Sequence, residues 1–236
     1  VMTGLAAVGA VVVAGLPVRQ DRTAGGAGGL SLTAGARAIA GNRTLAAVVV
    51  TSTAGQLGLA AVPVVVTATA AAHQRASVAG LMMTAVAVGG LVGSLLWTAR
   101  PAPVGRAPVV HMVALFASGL PLVVGVVTTD LVWVTVALAI SGVFMGPLIG
   151  ALFTARDALA PDGMRAQVFT LAAGLKITGA ATGAAAFGLI AGAPLSAQFL
   201  LVALIPAVTG LLGLVALGRS RNSAEAQPAS QRTVSG

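Results

Sequence analysis

The run Leu131-Val-Trp-Val-Thr-Val-Ala-Leu-Ala-Ile-Ser-Gly-Val-Phe-Met-Gly-Pro-Leu-Ile-Gly-Ala-Leu-Phe-Thr154 contains no charged side chain. At 1.5 Å per residue, a helix of this run outlasts the ~30 Å hydrocarbon core of a bilayer. Six further runs share its character, over residues 1–18, 44–72, 78–98, 109–128, 166–192 and 197–218. Each is close to or above the ~20 residues that a spanning helix needs. Backbone polar groups in lipid must pair within their own segment, which selects helix. A barrel would show alternating segments of ~10 residues, and none is present. The expectation is an all-α, polytopic membrane bundle of about seven transmembrane helices.

Composition points the same way. The chain of 236 residues is 57% hydrophobic and 8% charged, whereas a soluble domain carries about 25% charged residues. So little charge cannot cover a water-facing surface, and the lipid bilayer is the partner that can. The net charge of +8 does not indicate nucleic acid, because the arginines stand singly between apolar runs and form no basic patch. The absence of cysteine excludes disulfides, thiolate catalysis and Cys-ligated metal. An Ala-, Gly- and Val-rich chain with Lys176 as its single lysine has the composition of a GC-rich bacterial genome.

The runs divide the chain into a first helix over 1–18, a Gly-rich linker over 19–43, a six-helix unit over 44–218, and a polar tail over 219–236 expected to be disordered. The chain opens on an apolar run with no basic leader, so the reading takes it as a C-terminal fragment or an internal start. A short surface helix is expected near 36–42. With the linker placed inside, Arg19, Arg22, Arg37, Arg43, Arg100, Arg106, Arg156, Arg165, Arg219, Arg221 and Arg232 all fall on the cytoplasmic side, and Arg75 alone falls outside. This positive-inside bias sets the N-terminus outside and the C-terminus in the cytoplasm.

One span, a long polar linker, then six spans and a tail resembles the C-terminal part of a major facilitator superfamily transporter. Such proteins join two six-helix halves by a long cytoplasmic loop. Arg37-Ala-Ile-Ala-Gly-Asn42-Arg43-Thr-Leu45 resembles the lead into that family's seventh helix. Gly146-Pro147-Leu-Ile-Gly150-Ala-Leu-Phe153 with Ala160-Pro161 resembles its tenth, and Arg165-Ala-Gln167-Val-Phe169 with the small-residue run after it resembles the eleventh of actinobacterial members. The resemblance implies alternating-access transport of a small molecule across a bacterial plasma membrane, with efflux as the direction, and a missing N-terminal or partner half. Two departures stand out. In the family's Gly-x-Leu-x-Asp-Arg loop motif, the acidic position is here Trp97, within Gly93-Ser-Leu95-Leu96-Trp97-Thr98-Ala99-Arg100. Gly142-x-x-x-Gly146-Pro147-x-x-Gly150 has antiporter-motif spacing but lies on a helix of the opposite direction, so it is read as packing. The competing class is a membrane protein that does not transport, either a gene remnant or an accessory subunit.

Among single residues Lys176 stands out. It lies eleven positions beyond Arg165, about 16 Å up its helix and too deep to snorkel. Its helical neighbours are small, so it should face the bundle interior. There it either binds an anionic substrate, titrates during transport, or pairs with helix-end carbonyls or a carboxylate of the missing half. Ser52, Gln56, Pro63 and Thr67 form a 3.6-residue stripe expected to face the cavity, either contacting substrate or bonding between helices, with Pro63 breaking its helix. Asp130, at an outer edge, is solvated or gating. Asp157 and Asp162 are expected to pair locally with Arg156 and Arg165. Enzyme chemistry and metal binding are not expected: His73 lies in a loop and His111 at a membrane edge, and geometry offers no ligand set or catalytic pair around Ser118 or Ser141. No cofactor is implied.

Overall fold

The computed structural model describes residues 32–225. The readings for the first span, for Arg19, Arg22 and most of the linker, and for the tail beyond 225 with Arg232 lie outside them. Among the described residues no strand occurs, and six helical segments are long and apolar enough to cross a membrane.

Helix α1, Leu32–Gly41, opens the structure. It overlaps the short helix expected near 36–42 and starts four residues earlier, within the stretch read as Gly-rich linker. Asn42 then caps α2, Arg43–Leu59: its Oδ1 accepts the Thr44 and Leu45 N–H groups at 3.1 Å each. Such a cap satisfies donors that the first helical turn leaves open. The same span continues as α3, Val62–Ala72. It is followed by α4, Ala76–Ala99, and by α5, Ala107–Gly119, which reaches the short α6, Val124–Val127, through a 3₁₀ turn. The next span is α7, Leu131–Val143, with α8, Met145–Leu159, and the last two are α9, Arg165–Leu189, and α10, Leu195–Glu225. The span expected to end at Thr154 runs on to Leu159. The tail expected to be disordered from 219 is helical through Glu225.

Side chains on the outside are those of a lipid-facing bundle. In α4 the buried residues are Met82, Gly89 and Gly93, while Leu81, Leu91, Leu95 and Leu96 are each about 60% exposed (62%, 61%, 62% and 59%). Apolar exposure on this scale is unfavourable in water and neutral in hydrocarbon. In hydrocarbon, however, apolar burial no longer drives helices together. Close backbone approach and interhelical hydrogen bonds must do so.

Glycine supplies the approach. At Gly93 of α4 an added Cβ would overlap the Val143 carbonyl, and at Gly146 of α8 it would overlap the Gly93 backbone. Pro147 has no N–H to donate to the carbonyl four residues earlier, that of Val143. The carbonyl so released is the one against which Gly93 packs. Gly142 faces the Val86 carbonyl, and Gly150 leaves room for the Trp97 indole. Trp97, where the loop motif would carry an acid, is thus a packing residue over α8. Elsewhere α9 lies against α2, and α10 against α2 and α5, while Asn42 Nδ2 donates to Leu159 O at 3.5 Å. Four apolar cores result among the described residues, two of them larger than the rest. Of these two, one is around Val65, Met82, Leu138 and Phe199, and the other around Val48, Met112, Leu152 and Leu217.

Candidate functional site

Between the two larger cores two spans are interrupted. At Ala60 and Ala61 the first described span narrows into a 3₁₀-like turn, in which the Ala61 N–H donates to Gly58 O at 3.0 Å. The cause is Pro63, which has no N–H for the Leu59 carbonyl and sits well in a first helical turn. At Phe144 the α7–α8 span breaks likewise, two residues before the Gly146-Pro147 pair. Both interruptions border one cavity of about 230 Å³, which Leu59, Val62 and Pro63 line from one side and Met145, Leu148 and Ile149 from another. α9 contributes Lys176, and α2 contributes Gln56.

Lys176 is the twelfth residue of the 25-residue span Arg165–Leu189 and therefore lies at mid-depth. Neither its ammonium nor the Gln56 amide has a hydrogen-bond or ion-pair partner among the described residues. The third polar group on the wall is Ser141, whose hydroxyl donates to Ser118 O at 2.7 Å and so holds α7 to α5.

The stripe read from the sequence divides. Gln56 and Pro63 reach the cavity, but Ser52 and Thr67 do not. Ser52 is 4% exposed and sits between α2 and α8. Thr67 is exposed, donates to Val64 O at 2.8 Å, and lies beside Ala191 and Leu195 in a separate depression. Ser52 and Gln56 lie one turn apart on α2, and Pro63 and Thr67 one turn apart on α3, so each pair keeps a common face; the cavity reaches only the residues on either side of the break at Ala60 and Ala61. Asp130 caps α7, its Oδ1 accepting the Val132 and Trp133 N–H groups at 2.9 and 3.2 Å. It forms no ion pair with Arg75, which borders a groove beside Leu131.

Arg156 corrects the sequence reading most. The run pattern puts it in a cytoplasmic loop, paired locally with an aspartate. It is in fact 2% exposed, inside α8, with Nη2 donating to Ser52 Oγ at 3.0 Å. Ser52 passes its own proton to Val49 O at 2.9 Å. The Arg156 Nε has no partner among the described residues. Asp157 pairs with Arg165 at 3.4 Å, and both side chains are more than half exposed, where such a pair contributes little. A spacing signal for Arg156 does exist: it follows the buried Leu148 and Leu152 at successive steps of four.

His111, expected at a membrane edge, is instead 1% exposed. Its Nδ1 lies 2.9 Å from Leu148 O. A carbonyl only accepts, so this nitrogen carries the proton. The bond fixes α5 against the cavity-wall residue Leu148. No group of three or more metal-ligating side chains occurs among the described residues.

Comparison with protein-family models, with curated proteins and with solved structures gave no match.

Proposed function

We propose that this multi-pass membrane protein is a secondary active transporter of a small molecule. Its described spans would form one six-helix half that works by alternating access with a second half, as the major facilitator resemblance implies. The observation that carries the proposal is the mid-depth cavity where two proline-interrupted spans meet the single intramembrane lysine. An intramembrane charge is costly unless it serves a site, and interrupted helices at the midplane are how transporters build one. Gln56 adds directional hydrogen bonding, and the glycine-packed seam between α4 and α8 provides surfaces that can slide.

Flux tests this. In energised vesicles from cells expressing the chain together with its second half, Lys176→Gln should slow movement of any transported solute by about tenfold or more, the scale of one charged hydrogen bond. A solute panel should include anions, cations and neutral compounds. Equal rates for wild type and variant would end the proposal, and a total absence of flux would favour the accessory-subunit reading.

The arginine bias supports a C-terminus inside, and the resemblance implies a bacterial plasma membrane with efflux as the direction. Because the chain has no cysteine, single cysteines report its sidedness cleanly. A cysteine at Gln74 should react with an impermeant maleimide on intact cells, and one at Gly163 only after permeabilisation. The reverse labelling would invert the topology.

A further inference from the structure

We propose that the Lys176 cavity takes a small organic monoanion, a single acid group on an aliphatic body. This names the substrate class of the transport site and rests on that reading for its physiological role.

The sign of the charge comes first. Lys176 is the one ionisable group on the cavity wall. Behind the wall Arg156 adds a second positive charge, held by a neutral hydroxyl and by no acid. Of the described carboxylates, Asp130, Asp157 and Asp162 are exposed in loops or at helix ends, and Glu225 ends α10. Two like charges in a low-dielectric region repel a cationic guest and leave a neutral one with an unpaired ammonium. An anion entering the cavity neutralises Lys176 directly. One unit of charge suffices, because Lys176 is the charged group on the cavity wall and Arg156 does not line it. A phospholipid headgroup does not meet the requirement: it rests at the membrane surface, whereas Lys176 lies about 16 Å along α9 from Arg165.

The body follows from the rest of the wall. Gln56 offers an amide to the acid group, and the Ser141 proton is already given to Ser118 O. Everything else is aliphatic or thioether, and no aromatic ring lines the space. Met83 and Met145 are flexible and adapt to differing hydrocarbon shapes. A volume of about 230 Å³ holds about eight water-sized groups, the size of a short-chain acid.

Binding to the purified full chain in phosphatidylcholine nanodiscs tests the assignment, with empty discs subtracted. The probes are pentanoate, pentanamide and pentylammonium, measured by calorimetric titration. Pentanoate should bind about tenfold or more tighter than pentanamide, and pentylammonium should not displace it. Lys176→Gln should lower pentanoate to the level of the amide without changing the amide's own affinity, and Lys176→Arg should keep the preference. Equal binding of acid and amide by wild type overturns the proposal, as does an acid preference that survives Lys176→Gln. If Lys176→Gln fails to fold, the wild-type ratio and Lys176→Arg still decide. Anion binding without flux would sink the transport reading and leave the ligand class standing. Lys176-dependent flux of neutral solutes with no anion binding would do the opposite.

Discussion

Valine at Gly93 is expected to destabilise the bundle by at least about 3 kcal/mol, and valine at Gly146 by a similar amount. At each site the atoms in the way are backbone: the Val143 carbonyl at Gly93, and Gly93 itself with Ser94 at Gly146. Backbone cannot move aside as a flexible side chain can, so α4 must separate from the α7–α8 span. Lipid then replaces the contact without restoring the packing that glycine allowed. Unfolding in mixed micelles with rising SDS fraction measures the loss. Gly80→Ala and Gly188→Ala provide the contrast, since a Cβ at either meets nothing within 4 Å. Both should match wild type or exceed it slightly, alanine being the better helix former. If Gly93→Val unfolds together with these controls, the α4–α8 seam is not what holds the bundle.

The second large effect concerns Arg156. Ser52→Val, which replaces the hydroxyl by a methyl group and adds one carbon, is expected to cost about 2 kcal/mol, because a buried guanidinium loses its side-chain acceptor. Arg156→Met removes the charge with the partner's need for it, and it should cost much less or stabilise, as replacements of buried charges by packed apolar groups often do. The pair should be strongly non-additive: in the Arg156→Met background, Ser52→Val should cost under about 1 kcal/mol. The same SDS titration reads all four proteins. An equal cost of Ser52→Val in both backgrounds would show that the bond between Ser52 Oγ and Arg156 Nη2 contributes nothing to stability.

The two predictions separate what holds the fold from what charges it. The glycine seam is neutral and local in its spacing, so Gly142, Gly146 and Gly150 are legible as packing residues from the sequence alone. Arg156 is not legible in this way. A single arginine at the end of an apolar run resembles the membrane boundary. Its burial depends on Ser52, more than a hundred residues away in sequence.

The stripe of Ser52, Gln56, Pro63 and Thr67 shows the same division. Pro63 announces a break in any helix, because it lacks an N–H. How far the cavity extends from that break along either helix depends on what packs around it, so the sequence could not place Ser52 or Thr67. Lys176 is recognisable because one charge in a long apolar helix has few tolerable surroundings. That it shares a wall with Gln56 and the two interruptions is a matter of how four spans assemble.

By itself, then, the sequence determined the solvent, the helical class and the positions of most spans, since these follow from local apolar length and from the demand that each backbone group pair within its own segment. Tertiary structure alone decided that Arg156 and His111 are interior and that Ser52 serves the arginine. It also decided that Gln56 and Lys176 face one space. Side-chain surroundings are set by non-local packing: a helical period names the residues that share a face, and the neighbouring helices decide what each turn of that face meets.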